Sequence, residues 1–467
     1  MKPVFLWTDA MIWLLVAFCL IGAWYAARRE HLRAPWRRVV ESRVGMSSLA
    51  VLGVFIVIGL ADSLHFHPRN LASETATAEY SNDVLSVFDV IATPLRDRQE
   101  RTYSAPFARH AYVKETIERP DGSTVRDYPP LKWGGAHLEP GESTAADIAK
   151  QNAIGMLKAF AAWIAVAAII VAHTARRAGH TWRAQAGAIA RARTRLRWRA
   201  ALIALGIVLG ILVTLAHLSL YYHVFGTDKV GEDVFYQALK SVRTGLVIGT
   251  VTTFVMLPLA VLLGIAAGYF RGWIDDVIQY LYTTLNSIPG VLLIAAAVLM
   301  LEVYMSNNAD AFASLDKRAD LRLLFLCLIL GVTSWTGLCR LLRGETMKLR
   351  EIEYVQAADA FGVARLKIIL RHLLPNLLHI VLISVALDFS GLVLAEAVLS
   401  YVEIGVDPTM NSWGNMINSA RLELAREPVV WWSLAAAFAF MFTMVLFANL
   451  LADTVRDAFD PRLKHAA

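Results

Sequence analysis

The chain has 467 residues, of which 57% are hydrophobic and 18% charged, and a formal net charge of +6. Soluble globular proteins carry about 25% charged residues, so the composition excludes an ordinary water-soluble domain and requires a second solvent. The positive excess sits in loops between apolar runs, which reads as an orientation signal and not as a nucleic-acid footprint.

A bilayer-spanning helix needs ~20 mainly apolar residues. Runs at 5–27, 46–64, 153–173, 201–222, 243–268, 276–303, 321–343, 376–401 and 430–452 meet that requirement. Backbone groups in lipid must be satisfied within the segment, so these runs are predicted helices. Barrel strands would alternate over ~10 residues, and these runs do not. The first run follows Met1-Lys2-Pro3 and ends in Tyr25-Ala26-Ala27-Arg28-Arg29 with no small-residue cleavage site, which predicts a retained helix. Residues 1–64 thus hold two membrane helices.

Basic loops fix the orientation. The 28–43 loop carries Arg28, Arg29, Arg33, Arg37, Arg38 and Arg43. The 174–199 loop carries Arg176, Arg177, Arg183, Arg191, Arg193, Arg195, Arg197 and Arg199 and no acid. The 344–375 loop carries Lys348, Arg350, Arg365, Lys367 and Arg371, preceded by Arg340 and Arg343. Nine spans put all three loops on the cytoplasmic side. The N-terminus is then outside, and the C-terminus, with Arg456, Arg462 and Lys464, is inside. Alternating Arg with Ala and Leu before a span is read as a topology anchor that also touches membrane lipid. No nucleic-acid partner is expected.

Residues 65–152 form the one long polar stretch, with Pro68, Pro94, Pro106, Pro120, Pro129-Pro130 and Pro140 and turn signals at Asp121-Gly122 and Gly134-Gly135. They read as a loop-rich extracytoplasmic insertion with a few short strands. His65-x-His67 lacks further ligands at metal spacing and reads as surface loop. Residues 153–222 form an additional helix pair around the Arg-rich loop, and 223–467 form the membrane core. Cys19, Cys327 and Cys339 fall inside predicted spans without metal or disulfide spacing, as small packing residues do.

The most informative segment is the cytoplasmic loop 353–375. Glu353-Tyr354-Val355-Gln356-Ala357-Ala358-Asp359-Ala360-Phe361 predicts a short Ala-rich helix that stops near Gly362, a residue able to take positive φ. Leu366, Ile369, Leu370 and Leu373 then recur at helical spacing on one predicted apolar face. Arg371-His372-Leu373-Leu374-Pro375-Asn376 leads into the next span, with Pro375 starting it.

This segment resembles the EAA loop of ABC importer permeases: E-A-A, three residues, Gly, nine residues, then I-x-L-P. Gln356 stands for the Glu; Ala357, Ala358, Gly362, Leu374 and Pro375 match; His372 takes the Ile position, as in the oligopeptide/dipeptide/nickel branch. The resemblance implies that Tyr354, Gln356, Ala357, Ala358, Gly362, His372, Leu374 and Pro375 belong to a coupling helix seated on an ATPase subunit. Gly226-Thr227-Asp228-Lys229-Val230-Gly231-Glu232-Asp233-Val234 is similar to the branch's outer G-T-D-x-x-G-R-D-V segment, with Glu232 for Arg, and Arg243 matches an Arg further on. Ser412-Trp413-Gly414-Asn415-Met416 after Pro408 resembles its outer S-W-G-N-M loop. Gly226, Thr227, Asp228, Asp233, Trp413 and Gly414 are therefore expected to contact a binding protein. Glu396 and Leu399-Ser400 match an E-A-x-L-S run, but Glu403 stands where the family has Gly. Asn449-Leu450-Leu451, Asp453, Arg456-Asp457 and Asp460-Pro461-Arg462-Leu463 resemble the family's C-terminus. Arg37 to Leu60 resembles its opening span.

Asp388 and Glu396 lie eight apart in one predicted span, where each charge costs about 2.5–3.5 kcal/mol on insertion scales. They read either as lining a translocation path or its gate, or as a polar pair satisfied by neighbouring helices. There is no G-x-x-x-x-G-K-[ST] phosphate loop, no H-E-x-x-H and no nucleophile elbow. The expectation is an all-α polytopic protein of about nine helices with an ABC importer type I permease core. It is a multi-pass protein of the bacterial inner membrane and not an enzyme. The resemblance implies a homologous second permease, two ABC ATPase subunits carrying ATP and Mg, and an extracytoplasmic substrate-binding protein; no cofactor is expected on this chain. Two alternatives remain at this level, a secondary transporter and a structural membrane protein. The solute is not specified.

Overall fold

The computed structural model describes residues 2–68, 80–81, 83–118, 124–139, 141–308, 312 and 314–459. Pro120, Asp121-Gly122, Pro140, Asp460-Pro461-Arg462-Leu463 and Lys464 lie outside the described residues. Among the described residues nine helices are long and apolar enough to cross a membrane, and the all-α polytopic expectation holds. In chain order the helices are α1 (Trp7–Arg28), α2 (Glu30–Glu41), α3 (Arg43–Asp62), α4 (Val87–Ile91), α5 (Thr93–Arg96), α6 (Thr144–Ala178), α7 (Trp182–Ala190), α8 (Trp198–Leu218), α9 (Val234–Phe270), α10 (Trp273–Ser287), α11 (Gly290–Asn307), α12 (Leu315–Arg350), α13 (Glu353–Ala360), α14 (Arg365–Ile368), α15 (Leu374–Tyr401), α16 (Trp413–Glu423) and α17 (Trp432–Phe459). The strands are β1 (Lys2–Val4), β2 (His65–His67), β3 (Leu85–Ser86), β4 (Glu115–Glu118) and β5 (Thr124–Asp127).

One predicted span is corrected. The run 276–303 is two helices, α10 and α11, broken at Ile288-Pro289. A proline disfavours helical geometry in the residue before it, and Ile288 is extended at φ −91°, ψ 128°. Of the two, only α11 is long and apolar enough to span. Helix α6 begins within the polar stretch: Ser143 caps it by accepting a hydrogen bond from the Ala146 N–H (3.4 Å).

The chain divides into two compact units. Unit 1 comprises Met1–Val4, Arg37–Thr244 and Asn411–Leu450. In it β1 pairs with β2 and β2 with β3, all antiparallel, and β4 with β5 forms a separate hairpin. Phe88, Leu95, Phe235, Tyr236 and Leu239 form a core with Ile58, Leu212 and Phe440 beside it. The additional pair α6 and α8 is pinned by the Trp163 indole, which donates to the Leu202 carbonyl (2.8 Å). His65 and His67 lie on the short strand β2, and Nδ1 of His67 meets the Asp83 carbonyl (3.2 Å).

Unit 2 comprises Phe5–Trp36, Gly245–Met410 and Leu451–Ala467. Asp320 of α12 accepts from the Trp7 and Thr8 N–H groups (2.7 and 3.2 Å) and from the Thr8 hydroxyl. That satisfies orphan donors at the α1 N-terminus, which lipid could not. Helices α9 and α12 meet through small residues. A Cβ on Gly264 would lie 2.8 Å from the Cys339 carbonyl oxygen and 2.9 Å from Leu342 Cβ. One on Gly268 would lie 2.6 Å from Thr346 Cβ. Close approach at glycine is how membrane helices gain packing when lipid tails are as apolar as leucine.

Gly264→Leu should therefore cost about 1–3 kcal/mol of stability, the usual penalty of overpacking. Gly337→Leu, on α12 but facing open space, should be tolerated. Melting in detergent followed by fluorescence size-exclusion compares the two, and equal melting temperatures would remove the packing role.

Candidate functional site

The cytoplasmic segment α13–α15 is built from a turn, a shift and an anchor. Helix α13 ends in a left-handed residue: Gly362 has φ +70°. The Val363 N–H donates to the Ala358 carbonyl (3.1 Å) and the Gly362 N–H to that of Asp359 (2.9 Å), the paired bonds of a Schellman stop. A Cβ at Gly362 would meet open space, so backbone conformation alone demands glycine there.

From Arg365 the chain is helical through to Tyr401, with one π turn at Ile369–Leu373. Pro375 has no N–H and its ring crowds the carbonyl four residues back; the wider turn sits directly before it. This corrects two sequence expectations. Pro375 does not start the span, which is continuous with α14. Leu366, Ile369, Leu370 and Leu373 do not share one buried face, because the π turn shifts the helical phase. Leu373 and Ile368 are fully buried, Ile369 is half-buried, and Leu366 and Leu370 face out.

The anchor is small. Val355, Ile368 and Leu373 pack on Tyr269 of α9, with Leu349, Ala358 and Val363 at the edge. Polar contacts close the frame: Arg350 donates to the Tyr269 carbonyl (2.8 Å), and Arg271 pairs with Glu351 (2.5 Å). Asn376 donates to the Tyr354 hydroxyl (2.9 Å) and to the His372 carbonyl (2.7 Å). The remaining surface is uncovered and carries large apolar side chains among charged ones. Phe361 is 87% exposed and Leu366 67%, with Ile352, Tyr354, Leu370 and the small side chains of Ala357, Ala360 and Ala364 beside them. Gln356 is also exposed and donates to Glu351 (3.3 Å), so it forms no ion pair. Phe361 is what sequence reasoning missed, and Leu366 and Leu370 were read only as part of an amphipathic stretch; the signal for Phe361 was a large apolar residue directly before the glycine stop.

Residues 260–465, which include this segment, match the family described as binding-protein-dependent transport system inner membrane component. The chain is 31% identical over 242 residues to the oligopeptide transport system permease protein OppC of Haemophilus influenzae, covering 52% of this chain and 71% of that one. It is 31% identical to the glutathione transport system permease protein GsiD of Pectobacterium atrosepticum (52% and 73%). It is 30% identical to the dipeptide transport system permease protein DppC of Bacillus subtilis (52% and 69%). The chain belongs to this permease family. It is a multi-pass inner-membrane transport subunit, and its insertion and α6–α8 lie outside the matched region.

Of the outer residues expected to meet a binding protein, Gly226, Thr227, Asp233, Trp413 and Gly414 are buried inside unit 1 and Asp228 is half-buried. Their side chains hold the outer turn together. Asp233 Oδ1 accepts from the Phe235 and Tyr236 N–H groups (2.9 and 3.2 Å), capping α9. Asp228 Oδ1 accepts from Val230 and Glu232 N–H (3.0 and 2.9 Å). The Ser104 N–H donates to Thr227 Oγ1 (2.7 Å), and the Trp432 indole donates to the Thr227 carbonyl (2.9 Å). The Trp413 indole donates to the Ala238 carbonyl (3.0 Å). Glu403 has φ +65°, so the family's glycine at this position answers a left-handed turn.

The insertion supplies the centre of this region. Glu100 accepts from the Lys132, Trp133 and Gly134 N–H groups (2.9, 2.8 and 3.2 Å). Its Oε1 also meets His223 Nε2 (3.3 Å), while His223 Nδ1 meets Asp233 Oδ2 (2.8 Å). Burial raises the Glu100 carboxyl, but His223 and the three N–H groups outweigh it and hold it down at about 2. Burial likewise lowers His223, but Asp233 and Glu100 raise it to about 9. His223 is thus an imidazolium between two carboxylates. On α15, Glu396 is buried and accepts from the Ser400 hydroxyl (2.8 Å), while Asp388 is half-buried.

Because the folded pKa of His223 lies above its ordinary 6.5, its stabilisation is complete below that value and lost as pH rises through about 9. The Glu100 contribution is complete above its ordinary 4.5 and lost as pH falls through about 2. His223→Gln should cost about 3 kcal/mol, because it leaves two buried carboxylates without their cation, and should flatten the fall in melting temperature between pH 6.5 and 9. A variant whose melting temperature tracks the parent at every pH would contradict this reading.

Proposed function

We propose that this permease is half of the pore of an ATP-driven importer for peptides or related small solutes. A homologous second permease forms the other half, two separate ATPase subunits dock at the coupling segments, and an extracytoplasmic binding protein delivers the solute. This chain binds no nucleotide in this reading; ATP and Mg act on the ATPase subunits. The peptide class rests on the names of the OppC and DppC relatives.

The observation that carries the docking role is the uncovered set of apolar side chains along α13 and α14. A segment held by three buried side chains, with Phe361 and Leu366 standing in water, has the form of a helix-in-groove ligand. Exposed alanines at 357, 360 and 364 let a groove wall approach closely. The continuous helix from Arg365 into α15 offers a rigid lever from that contact to the membrane, where two packings biased by ligand state would switch access. We place the translocation path beside the half-buried Asp388 and assign Glu396, satisfied internally, to holding the outer end of α15. The binding-protein contact then falls to exposed neighbours of the outer turn, Lys229 and Val230.

The test is retention of the ATPase subunits by a tagged permease. Phe361→Asp with Leu366→Asp touches no buried contact, so insertion and folding should persist while ATPase capture drops at least about tenfold, a modest loss for two hot-spot anchors. Gln356→Glu should retain capture. Undiminished capture by the double variant would place the docking surface elsewhere.

A further inference from the structure

The additional helices α6–α8 carry a feature that the importer reading does not use. At the cytoplasmic ends of α6 and α8 two basic clefts adjoin. The larger measures ≈ 540 Å³ and is lined among others by His173, Arg177, His180, Arg193 and Trp198. The smaller, ≈ 250 Å³, is lined by Arg43, Arg197 and Arg199. Thr194 forms a wall of both. Arg195 at the rim is already paired with Glu41 (2.7 Å), and Arg197 donates to the Glu41 carbonyl (3.3 Å). Arg43, Arg177, Arg193 and Arg199 have no carboxylate partner among the described residues. Residues 153–199 contain no acid at all.

We propose that these paired clefts bind the headgroup of an anionic phospholipid of the cytoplasmic leaflet, and that a lipid with two phosphodiesters fits best, one at each cleft. The chemistry is that of guanidinium and phosphate, which form directed, charge-assisted pairs. The level is right: the apolar stretches of α6 and α8 end here, and Trp182 and Trp198 flank the loop as interfacial aromatics do. Val171, Ile189 and Leu202 pack together with Ala186 and Trp198 beside them, which holds α7 against the pair, and Trp198 also lines the larger cleft. Basic pockets between membrane helices at this face are suited to such headgroups.

The experiment uses the full-length permease in detergent, with lipid occupancy read by native mass spectrometry and stability by thermal melting. Probes are a two-phosphodiester lipid, a one-phosphodiester anionic lipid, phosphatidylcholine and inorganic phosphate. Arg177→Gln with Arg193→Gln empties the larger cleft of unpaired charge. Arg183→Gln with Arg191→Gln removes the same charge from positions that line neither cleft. The expected result is tightest retention of the two-phosphodiester lipid, weakened about tenfold or more in the first variant and unchanged in the second. Three results would overturn the proposal: equal weakening in both variants, which marks diffuse surface charge; equal retention of phosphatidylcholine; or displacement by inorganic phosphate at equal concentration, which marks a free-phosphate site. Size-exclusion profiles matching the parent confirm that each variant is folded.

Discussion

An eight-residue helix cannot hold itself together in water, because the cost of nucleating its first turn is not recovered over so short a length. Helix α13 has that length. Its existence depends on Val355, Ile368 and Leu373 gripping Tyr269, and on Gly362 turning the chain so that the following helix returns to the same anchor. Everything outside that grip is left facing solvent, including Phe361 and Leu366. The same constraint that stabilises the segment therefore leaves its other face open to solvent, where we propose a partner docks. Because α14, the π turn and α15 are continuous, a push on that face has a helix to travel along.

Much of this was legible in the sequence. Hydropathy alone located the nine spans, since lipid forces long apolar helices and gives little else to read. The Ala-rich run ended by Gly362 could be recognised because only a left-handed residue completes that stop. What hydropathy could not reveal was a break within an apolar run: α10 and α11 read as one span because Ile288-Pro289 is itself apolar. The proline was the available signal. The π turn was hidden for a related reason, since helical spacing assumes a constant period and Leu366 and Leu373 keep that spacing on paper.

The outer motifs taught a different lesson. A recurring G-T-D or S-W-G pattern can be taken for a contact surface, yet here Thr227, Asp233 and Trp413 spend their polar groups on caps and carbonyls within unit 1. The positive φ at Gly226, Gly231 and Glu403 shows that the pattern encodes turns. The central ion cluster could not be read at all, because Glu100 lies 123 residues before His223 and nothing local ties an insertion residue to a distant turn. Its three charges make the extracytoplasmic insertion a structural partner of the outer turn, so the insertion is integral to that unit.

If the surface of 353–373 docks the ATPase subunits, hydrogen–deuterium exchange on the reconstituted permease, with and without those subunits, will register it. Amides of α13 and α14 should exchange quickly in the isolated permease, given so small an anchor, and slow markedly when the ATPase subunits are present, while the outer turn around His223 stays unchanged. Equal exchange of α13 and α14 in both states, with the ATPases bound, would contradict the account.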